Sequence, residues 1–386
     1  MRLSGRQYGH HYQETVAGMN KCSTDSRRWV APAVYLIGIT LSALVILLVI
    51  FHFGDIPNRH NNGFKRSYFP SSYTATHELD LPDTLSRIVG LTRSNMYIGV
   101  STEGEVVEVR RDLTGGVKRI QIPFFSKFYD SLGLSSAAIK IDSPYIYLFA
   151  ENKPAIVKTA FDSSLFEIKI LPPGPFSREV MVGGDRFVLR KVEPRLNDQI
   201  FVRYDLKTGS IKKEDSISDI FGDGGIVSDG QLHFDVETGK LCYTYYYRNL
   251  LLSFDTSLHV ADRFSTIDTT SSFRIRTGIV KNEGTMAYTN ISPANIINKV
   301  NDVKNGFLFN ISALKADNES DPFFSNNSII DIVNLKDGRY LGSIHLPTFN
   351  GNKLSEFVIS DGQLIGLYSH TIIIYDLSAG LSRYTQ

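Results

Sequence analysis

The feature that most constrains this chain is a short pattern that returns along most of its length. An alternating apolar run leads to Asp or Asn and then to a turn, as in "VRYDLKTG" and "IIYDLSAG". The pattern occurs, in steps of 50, 43, 50, 79 and 42 residues, at Asp112, Asp162, Asp205, Asp255, Asn334 and Asp376. Four of the five steps match the length of a four-stranded unit, which is typical of an all-β propeller built from repeated blades.

The recurring Asp or Asn has a structural explanation. A carboxylate or amide at the end of a strand accepts hydrogen bonds from the backbone of the next turn, and a glycine shortly after it supplies a positive φ. Six such residues at equivalent places are explained more simply as turn formers than as six active sites. We therefore predict that these repeat positions are structural.

The alternating runs on either side of these turns define the blades. They place the blades at 85–123, 134–173, 178–218, 225–268, 275–347 and 354–380. The 79-residue step fits either one blade with an insertion at 281–306, which is rich in Asn and alternates poorly, or two degenerate blades. The sequence therefore predicts a six-bladed β-propeller, with seven blades as the alternative.

The last blade lacks an outer strand in its own segment. After Gly380 only "LSRYTQ" remains, whereas "THELDLP" at 76–82 has the same form as the outer strand "KRIQIP" of the first blade. An open sheet edge invites aggregation, and closure of a propeller ring removes such an edge. We predict that this N-terminal strand closes the last blade and that residues 74–386 form one propeller domain.

The segment before the propeller contains a long apolar run. Residues 31–53 are 23 residues without Asp, Glu, Lys or Arg, enough to cross a hydrocarbon core of roughly 30 Å. The sequence predicts a transmembrane helix at 31–53, a short cytoplasmic tail at 1–30 and a tether at 54–73. Arg27 and Arg28 directly precede the span, which favours an uncleaved, single-pass signal anchor with a cytoplasmic N-terminus. The propeller would then lie in a periplasm or another extracytoplasmic space.

Charge and cysteine content exclude some classes of protein. Forty-one Lys and Arg residues stand against 40 Asp and Glu residues, so no global positive field favours a nucleic-acid partner. The two cysteines, Cys22 and Cys242, exclude a disulfide scaffold. We expect no nucleic acid among the partners.

The sequence offers few candidates for chemistry. It contains no Gly-x-Ser-x-Gly elbow, phosphate loop, dinucleotide fingerprint or His-Glu-x-x-His. The Asp-rich stretch at 219–239 lacks the spacing of an EF-hand, and its "SDGQL" returns at 360–364, which indicates a turn between the first two strands of a blade. We predict no catalytic residue, no cofactor and no metal site, and the sequence favours a non-enzymatic role.

One aromatic hairpin is the best candidate for ligand binding. Strand alternation in "LCYTYYYRNLLLSF" places Tyr243, Tyr245 and Tyr247 on one face, followed by Arg248. Such side chains either fill the wedge between neighbouring blades or form a platform for a flat or sugar-like ligand. Packing is the simpler explanation, and the platform is the place where a ligand would be sought first.

The C-terminal repeats resemble a known superfamily. The stretch "IIDIVNLKDGRYLGSIHLPTFNGNKLSEFVISDGQLIGLYSHTIIIYDL" is similar to the six-bladed β-propellers of the TolB-like and NHL-like kind, and to uncharacterised propeller proteins of Bacteroidetes. The resemblance covers about residues 75–380 and implies the fold and export from the cytoplasm. Lactonases and phosphatases of this superfamily hold calcium near the central channel, but no residue of this chain is assigned to that set.

These observations favour a membrane-anchored, extracytoplasmic β-propeller that acts as a binding or scaffold module. Its expected partners are the membrane, through residues 31–53, and a protein or small-molecule ligand at one face or in the central channel. The alternative is a calcium-dependent propeller hydrolase or lactonase. That alternative predicts at least three acidic or amide side chains that converge on the channel axis.

Overall fold

The alternating runs of the sequence form short antiparallel strands. The computed structural model describes residues 26–54, 62–70, 73–134, 137–163, 165–273, 275–282, 285–293 and 295–385. The chain divides into two compact units, Met1–His60 and Asn61–Gln386. Helix α1 (Ser26–Gly54) belongs to the first unit, and the strands described below belong to the second.

Six sheets of four strands, called blades, make up the second unit over the residues that the structure describes. In five of them the strands follow one another in chain order, from the inner to the outer edge. These are blade 1 with β2 (Leu85–Leu91), β3 (Asn95–Val100), β4 (Glu105–Arg110) and β5 (Lys118–Gln121); blade 2 with β6 (Ala138–Asp142), β7 (Tyr145–Ala150), β8 (Ala155–Ala160) and β9 (Phe166–Ile170); blade 3 with β10 (Phe176–Met181), β11 (Arg186–Glu193), β12 (Asp198–Asp205) and β13 (Ile211–Glu214); blade 4 with β14 (Gly230–Asp235), β15 (Lys240–Tyr245), β16 (Leu250–Asp255) and β17 (Val260–Ser265); and blade 5 with β20 (Asn298–Lys304), β21 (Phe307–Ser312), β22 (Asn327–Asn334) and β23 (Tyr340–Pro347).

Blade 6 combines strands from both ends of the second unit. From the inner edge its first three strands are β24 (Glu356–Ser360), β25 (Gln363–Tyr368) and β26 (Thr371–Asp376), and its outer strand is β1 (Thr74–Asp80). The pairing of β1 with β26 is antiparallel, and Glu78 lies opposite Ile373. The edge of β26 is therefore covered by a strand that lies about 300 residues earlier in the chain.

The long step in the repeat holds one blade and a hairpin. Strands β18 (Thr277–Asn282) and β19 (Thr285–Asn290) form a separate two-stranded sheet between blades 4 and 5. The prediction of six blades with one insertion is confirmed, but its bounds at 281–306 are wrong, because 298–304 is the inner strand of blade 5. That strand alternates poorly because part of it faces a polar channel.

Short helices occupy the remaining connections. Helix α2 (Phe125–Leu132) links blades 1 and 2, α3 (Asp321–Ser325) lies between β21 and β22, and α4 (Ser378–Thr385) follows the last strand. Over the described residues, no helix combines the length and the apolarity that a membrane crossing requires. The transmembrane helix predicted at 31–53 is therefore not confirmed. Most of the predicted tail at 1–30 lies outside the described residues.

The hydrophobic core is divided among the wedges between blades. Six clusters of buried side chains are described, and each joins two neighbouring blades. One of them packs Met96 and Ile98 of blade 1 against Ile365 and Ile372 of blade 6. Because the first and last blades share a core, the six blades form a complete ring. The chain has a six-bladed β-propeller fold.

A segment of the predicted tether is bound to this ring. Residues 62–70, which we call the docking segment, run beside blade 5, and Tyr68 forms a parallel bridge with Ser343 of β23. Arg66 of the docking segment is only 4% exposed. Its guanidinium donates to Asp331 at 2.7 and 3.0 Å and to Glu319 at 2.9 and 3.0 Å. Part of the region at 54–73 is thus fixed to the propeller by a buried ion triad.

Candidate functional site

The inner strands of the six blades surround a channel. Five neighbouring pairs of inner strands contact each other around its axis, namely β2 with β6, β10 with β14, β14 with β20, β20 with β24, and β24 with β2. Each inner strand starts at the face that carries the connections between blades, which we call the upper face. Lining residues come from the first part of each inner strand, so the cavity described next lies in the upper part of the channel.

This upper cavity has a volume of about 240 Å³ and a polar lining. All six inner strands contribute to it, and so do two connections on the upper face. Its charged and polar side chains are Arg87, Lys140, Glu151, Ser177, Arg178, Glu179, Gln231, His233, Tyr246, Lys299 and Glu356. Three apolar side chains, Ile88, Leu232 and Val300, complete the lining. A small polar solute would therefore meet charged or polar groups from every blade.

Two of the four cationic side chains form ion pairs with acidic side chains. Arg178 donates to Asp229 at 2.9 Å and to the Gly230 carbonyl at 2.6 Å. Burial lowers the pKa of Arg178, but Asp229 outweighs that effect and the pKa is raised overall. Lys140 Nζ lies 4.0 Å from Glu179 Oε1. These charges are largely compensated within the protein.

A fully buried arginine holds the acidic partner of Arg178 in place. Arg190 donates to the Ser228 hydroxyl at 2.7 Å and to the Gly225 carbonyl at 3.2 Å. Its guanidinium also lies 3.4 Å from Asp229. These contacts fix the loop at 223–229, which places the Asp229 carboxylate beside Arg178. Arg190 is thus a positioning residue for the upper cavity.

The carboxyl groups near the channel have unusual proton affinities. Burial, together with the charge of Glu179, raises the pKa of Glu151 to about 7. Burial also raises the pKa of Glu356. In the lower channel, burial raises the pKa of Asp302 to about 7, although its carboxylate accepts a hydrogen bond from Ile359 N–H at 2.7 Å. Desolvation disfavours the charged form of each carboxyl.

The one histidine of the cavity lining is neutral near pH 7. Burial, reinforced by the positive charges of Lys140 and Arg87, lowers the pKa of His233 to about 3. Its Nδ1 lies 3.8 Å from Asp302 Oδ1. Because His233 carries no charge at neutral pH, it does not add to the positive charge of the lining.

A second cavity adjoins the first. A groove of about 400 Å³ lies between blades 1 and 2, and Arg87 and Glu151 line both cavities. Its walls include Val89, Phe125 and Ile139. A ligand larger than the upper cavity therefore has room to extend toward this groove.

The residues predicted to bind a ligand lie mostly in the core. Tyr243 and Tyr245 are fully buried, and the hydroxyl of Tyr243 donates to the Ser228 carbonyl at 2.8 Å. Both belong to the cluster between blades 3 and 4, which is the packing role weighed in the sequence analysis. Tyr247 is half-buried, and Arg248 bonds Asp219 at 2.9 Å while its guanidinium lies over the Tyr245 ring. None of these four lines the upper cavity.

The tyrosine that reaches the cavity is Tyr246, which strand alternation places on the face opposite Tyr243, Tyr245 and Tyr247. Tyr246 follows the last residue of β15 and lies in the connection to β16, on the upper face. The Arg178 guanidinium lies 5.5 Å from the centre of the Tyr246 ring. A signal for the channel was present in the sequence, because each inner strand carries a charged or polar residue among its first four positions.

At least four of the six repeat positions accept hydrogen bonds from the turn that follows. Asp112 accepts from Thr114 N–H at 2.9 Å, and Asp205 accepts from Thr208 N–H at 2.8 Å. The other two are Asp255, with His259 N–H at 3.0 Å, and Asn334, with Lys336 N–H at 2.9 Å. These side chains stabilise the turn between the third and the outer strand of their blades.

The acidic stretch at 219–239 does not converge on one point. Asp223 accepts from Gly225 N–H and Val227 N–H, both at 3.0 Å, whereas Asp235 bonds the turn after β14. Over the residues that the structure describes, no group of three His, Cys, Asp or Glu side chains is arranged to hold a metal ion. The two "SDGQL" stretches are not equivalent, because 360–364 joins β24 to β25 whereas 228–232 leads into β14.

Comparison with known proteins shows the fold and little more. The chain matches no known protein family and no curated protein. Among solved structures it is similar to a member of the DUF4221 family from Bacteroides vulgatus, with 13% identity and a TM-score of 0.51 over 81% of this chain and 98% of that one. A catalytically inactive virginiamycin B lyase from Staphylococcus aureus, solved with quinupristin, has 10% identity and a TM-score of 0.46 over 79% and 99%. The likeness is one of fold. At that level, the resemblance to propeller proteins of Bacteroidetes is confirmed.

Proposed function

We propose that this chain is a binding module whose ligand enters the upper cavity of the propeller channel. The observation that supports the proposal most is the lining of that cavity, to which all six inner strands bring charged or polar side chains. A channel that served only to pack the ring would be filled by apolar side chains. Ligand sites are typically concave, with a few polar groups that converge on the bound molecule.

The chemistry of the lining favours binding over catalysis. The hydroxyl of Ser177 donates to the Gln199 side chain rather than to a basic group that would activate it. The hydroxyl of Tyr246 accepts from Arg178 at 3.4 Å. Both hydroxyl groups of the lining are thus held by neutral or cationic partners.

A screen of small polar molecules against the purified full chain tests the proposal. Binding is detected as a rise in the melting temperature, because a ligand that binds only the folded state stabilises it. A compound that stabilises the wild-type chain should fail to stabilise Ser177→Trp, in which the indole occupies the cavity. A compound that stabilises both chains equally binds outside the cavity. The proposal is contradicted if every stabilising compound behaves in this way.

The alternative function, a calcium-dependent hydrolase or lactonase, is tested by turnover. Glu151 is the group that favours it, since a carboxyl with a pKa of about 7 can exchange a proton near neutral pH. We expect the full chain to leave lactones, phosphoesters and glycans intact, with and without added calcium. If the wild-type chain turns over one of these substrates and Glu151→Gln does not, the chain is an enzyme and not only a binding module.

We further propose, from the sequence of residues 31–53, that the chain is held at a membrane with the propeller outside the cytoplasm. The support is the run of 23 uncharged residues with Arg27 and Arg28 directly before it. The full chain should then stay in the membrane fraction after extraction with alkaline carbonate. Added protease should digest the propeller in intact spheroplasts. Release of the chain by carbonate would overturn this part of the proposal.

A further inference from the structure

Two cationic side chains of the upper cavity lack a partner in the protein. Arg87 on β2 and Lys299 on β20 both line the cavity and are both exposed to it. Within the described part of the chain, neither side chain forms a hydrogen bond or an ion pair, whereas Arg178 is bonded to Asp229 and Lys140 lies beside Glu179. Two positive charges, on strands from different blades, therefore have no direct ion-pair partner.

The carboxyl groups of the cavity do not neutralise these two charges fully. Glu151 and Glu356 face the cavity, yet their pKa values are raised despite the nearby Arg87. Desolvation therefore outweighs the attraction of the guanidinium, and Glu151, whose pKa is about 7, is partly protonated near neutral pH. The lining has four cationic side chains against three carboxyl groups, so it carries an excess of positive charge, and protonated Glu151 offers an O–H group as a hydrogen-bond donor.

The charge of Arg87 reaches several sides of the cavity. It lowers the pKa of His233 on β14. It also favours a lower pKa for Glu356 on β24, although burial raises that pKa overall. It also favours a lower pKa for Tyr246, which lies on the upper face. Residues on separate blades thus experience the field of one guanidinium.

We propose that the upper cavity binds a small molecule through an oxyanion group, a carboxylate or a phosphate, held by Arg87 and Lys299. This inference rests on the proposed binding function and names the chemistry of its ligand. A guanidinium bonds both oxygens of a carboxylate or phosphate in a fixed plane, and an ammonium adds a second positive charge. The rest of the molecule has room in the groove between blades 1 and 2, since Arg87 lines both cavities.

A cationic ligand fits the same cavity poorly. It would have to lie beside two unpaired positive groups, and the carboxyl groups that could hold it have a reduced tendency to ionise. A neutral sugar would leave the two charges without a partner. The oxyanion is the ligand group that satisfies the uncompensated charges.

Matched pairs of probes test the proposal on the full chain. Succinate is compared with its neutral diamide, and glucose 6-phosphate with glucose, by isothermal titration calorimetry at low and high salt. We expect at least one anion of these pairs to bind. Its neutral counterpart should bind at least about tenfold more weakly, and added salt should lower the affinity for the anion. The two pairs also distinguish a carboxylate from a phosphate.

Single substitutions assign the binding to the two residues. Arg87→Gln and Lys299→Gln should each weaken binding of the anion about tenfold or more, because each removes a charge-assisted hydrogen bond. Arg93→Gln and Lys336→Gln change exposed side chains of the same two blades outside the cavity, and they should leave the affinity unchanged. Both target side chains are exposed, so the variants retain the fold, and matching circular dichroism spectra verify this.

The outcomes separate this inference from the proposed function. The oxyanion is overturned if no anion of the panel binds at millimolar concentration, or if Arg87→Gln and Lys299→Gln bind as tightly as the wild-type chain. If neutral or cationic molecules then bind the wild-type chain but not Ser177→Trp, the channel still binds a ligand and only its chemistry is wrong. If no compound of any class requires an open cavity, both proposals fail.

Discussion

The environment of the channel changes the pKa of one side chain, Glu151. It lies in the connection between β7 and β8, where burial and the charge of Glu179 raise its pKa from 4.5 to about 7. In the unfolded chain the same carboxyl loses its proton near its ordinary pKa. Between these two values the folded chain holds more protons than the unfolded chain, so this group makes the protein less stable as the pH rises.

The variant Glu151→Gln tests this effect directly. Compared with the wild-type chain, the variant should gain free energy of unfolding as the pH rises from about 4.5 to above 7, by about 2 kcal/mol after allowance for partial solvation of the carboxyl. Urea unfolding at a series of pH values measures the difference. The exposed Glu167→Gln serves as the control for loss of a carboxylate outside the channel.

His233 acts in the opposite sense and explains why single variants are needed. Its lowered pKa of about 3 means that the unfolded chain takes up a proton before the folded chain does. Its contribution to stability is therefore complete above its ordinary value of 6.5 and is lost as the pH falls toward 3. In the wild-type chain this loss overlaps with the effect of Glu151, so a pH profile of the wild-type chain alone would show only their sum.

At the scale of elements, the docking segment is held by one buried ion triad. Arg66 bonds Glu319 and Asp331, and the side chains of all three are at most 2% exposed. The Ser343 hydroxyl donates to Asp331 at 2.6 Å, so β23 also takes part in this network. The segment is thus joined to blade 5 by charge as well as by backbone pairing.

Arg66→Met should destabilise the propeller strongly. It leaves two carboxylates buried without their partner, which costs about 3 to 5 kcal/mol. Lys65→Met, at the exposed neighbouring position, should change the free energy of unfolding by less than about 0.5 kcal/mol. Chemical denaturation compares the two. Equal stability of both variants would show that the docking segment contributes nothing to the fold.

The strand β1 offers a second test at this scale. In an antiparallel pair, neighbouring residues alternate in directing their N–H groups to the partner strand. The double variant Glu78→Pro and Leu79→Pro therefore removes at least one bond to β26, opposite Ile373 and Ile372. We expect a loss of about 1 to 3 kcal/mol and more self-association, because the edge of β26 opens. The matched double alanine variant keeps the backbone bonds and should stay monodisperse by light scattering.

The elements also show where sequence reasoning succeeds. Turn chemistry and alternation locate the blades, because Asp or Asn at the end of a third strand has a local physical cause. The same reasoning fails for β20, since a strand that faces a polar channel does not alternate like one that faces a core. It also missed the role of Arg66, because burial of one arginine in "FKRSY" depends on carboxylates about 250 residues away.

At the scale of the whole molecule, the ring divides its residues into wedges and a channel. Apolar side chains fill the six wedges, and the first parts of the inner strands keep their polar groups for the cavity. The repeat length predicts the ring. It does not predict which charged side chains line the channel, because Arg87 and Lys299 lie on different blades and line one cavity only in the complete ring.

The central claim is that the upper cavity binds a ligand, and a crystal structure of the full chain tests it most directly. Crystals are grown with the anion that raises the melting temperature most and, for comparison, without it. We predict difference density in the upper cavity, with an oxyanion group within hydrogen-bond distance of Arg87. Density for the ligand only at the outer surface, for example beside Arg383 and Tyr384, together with an unchanged cavity, would contradict the account.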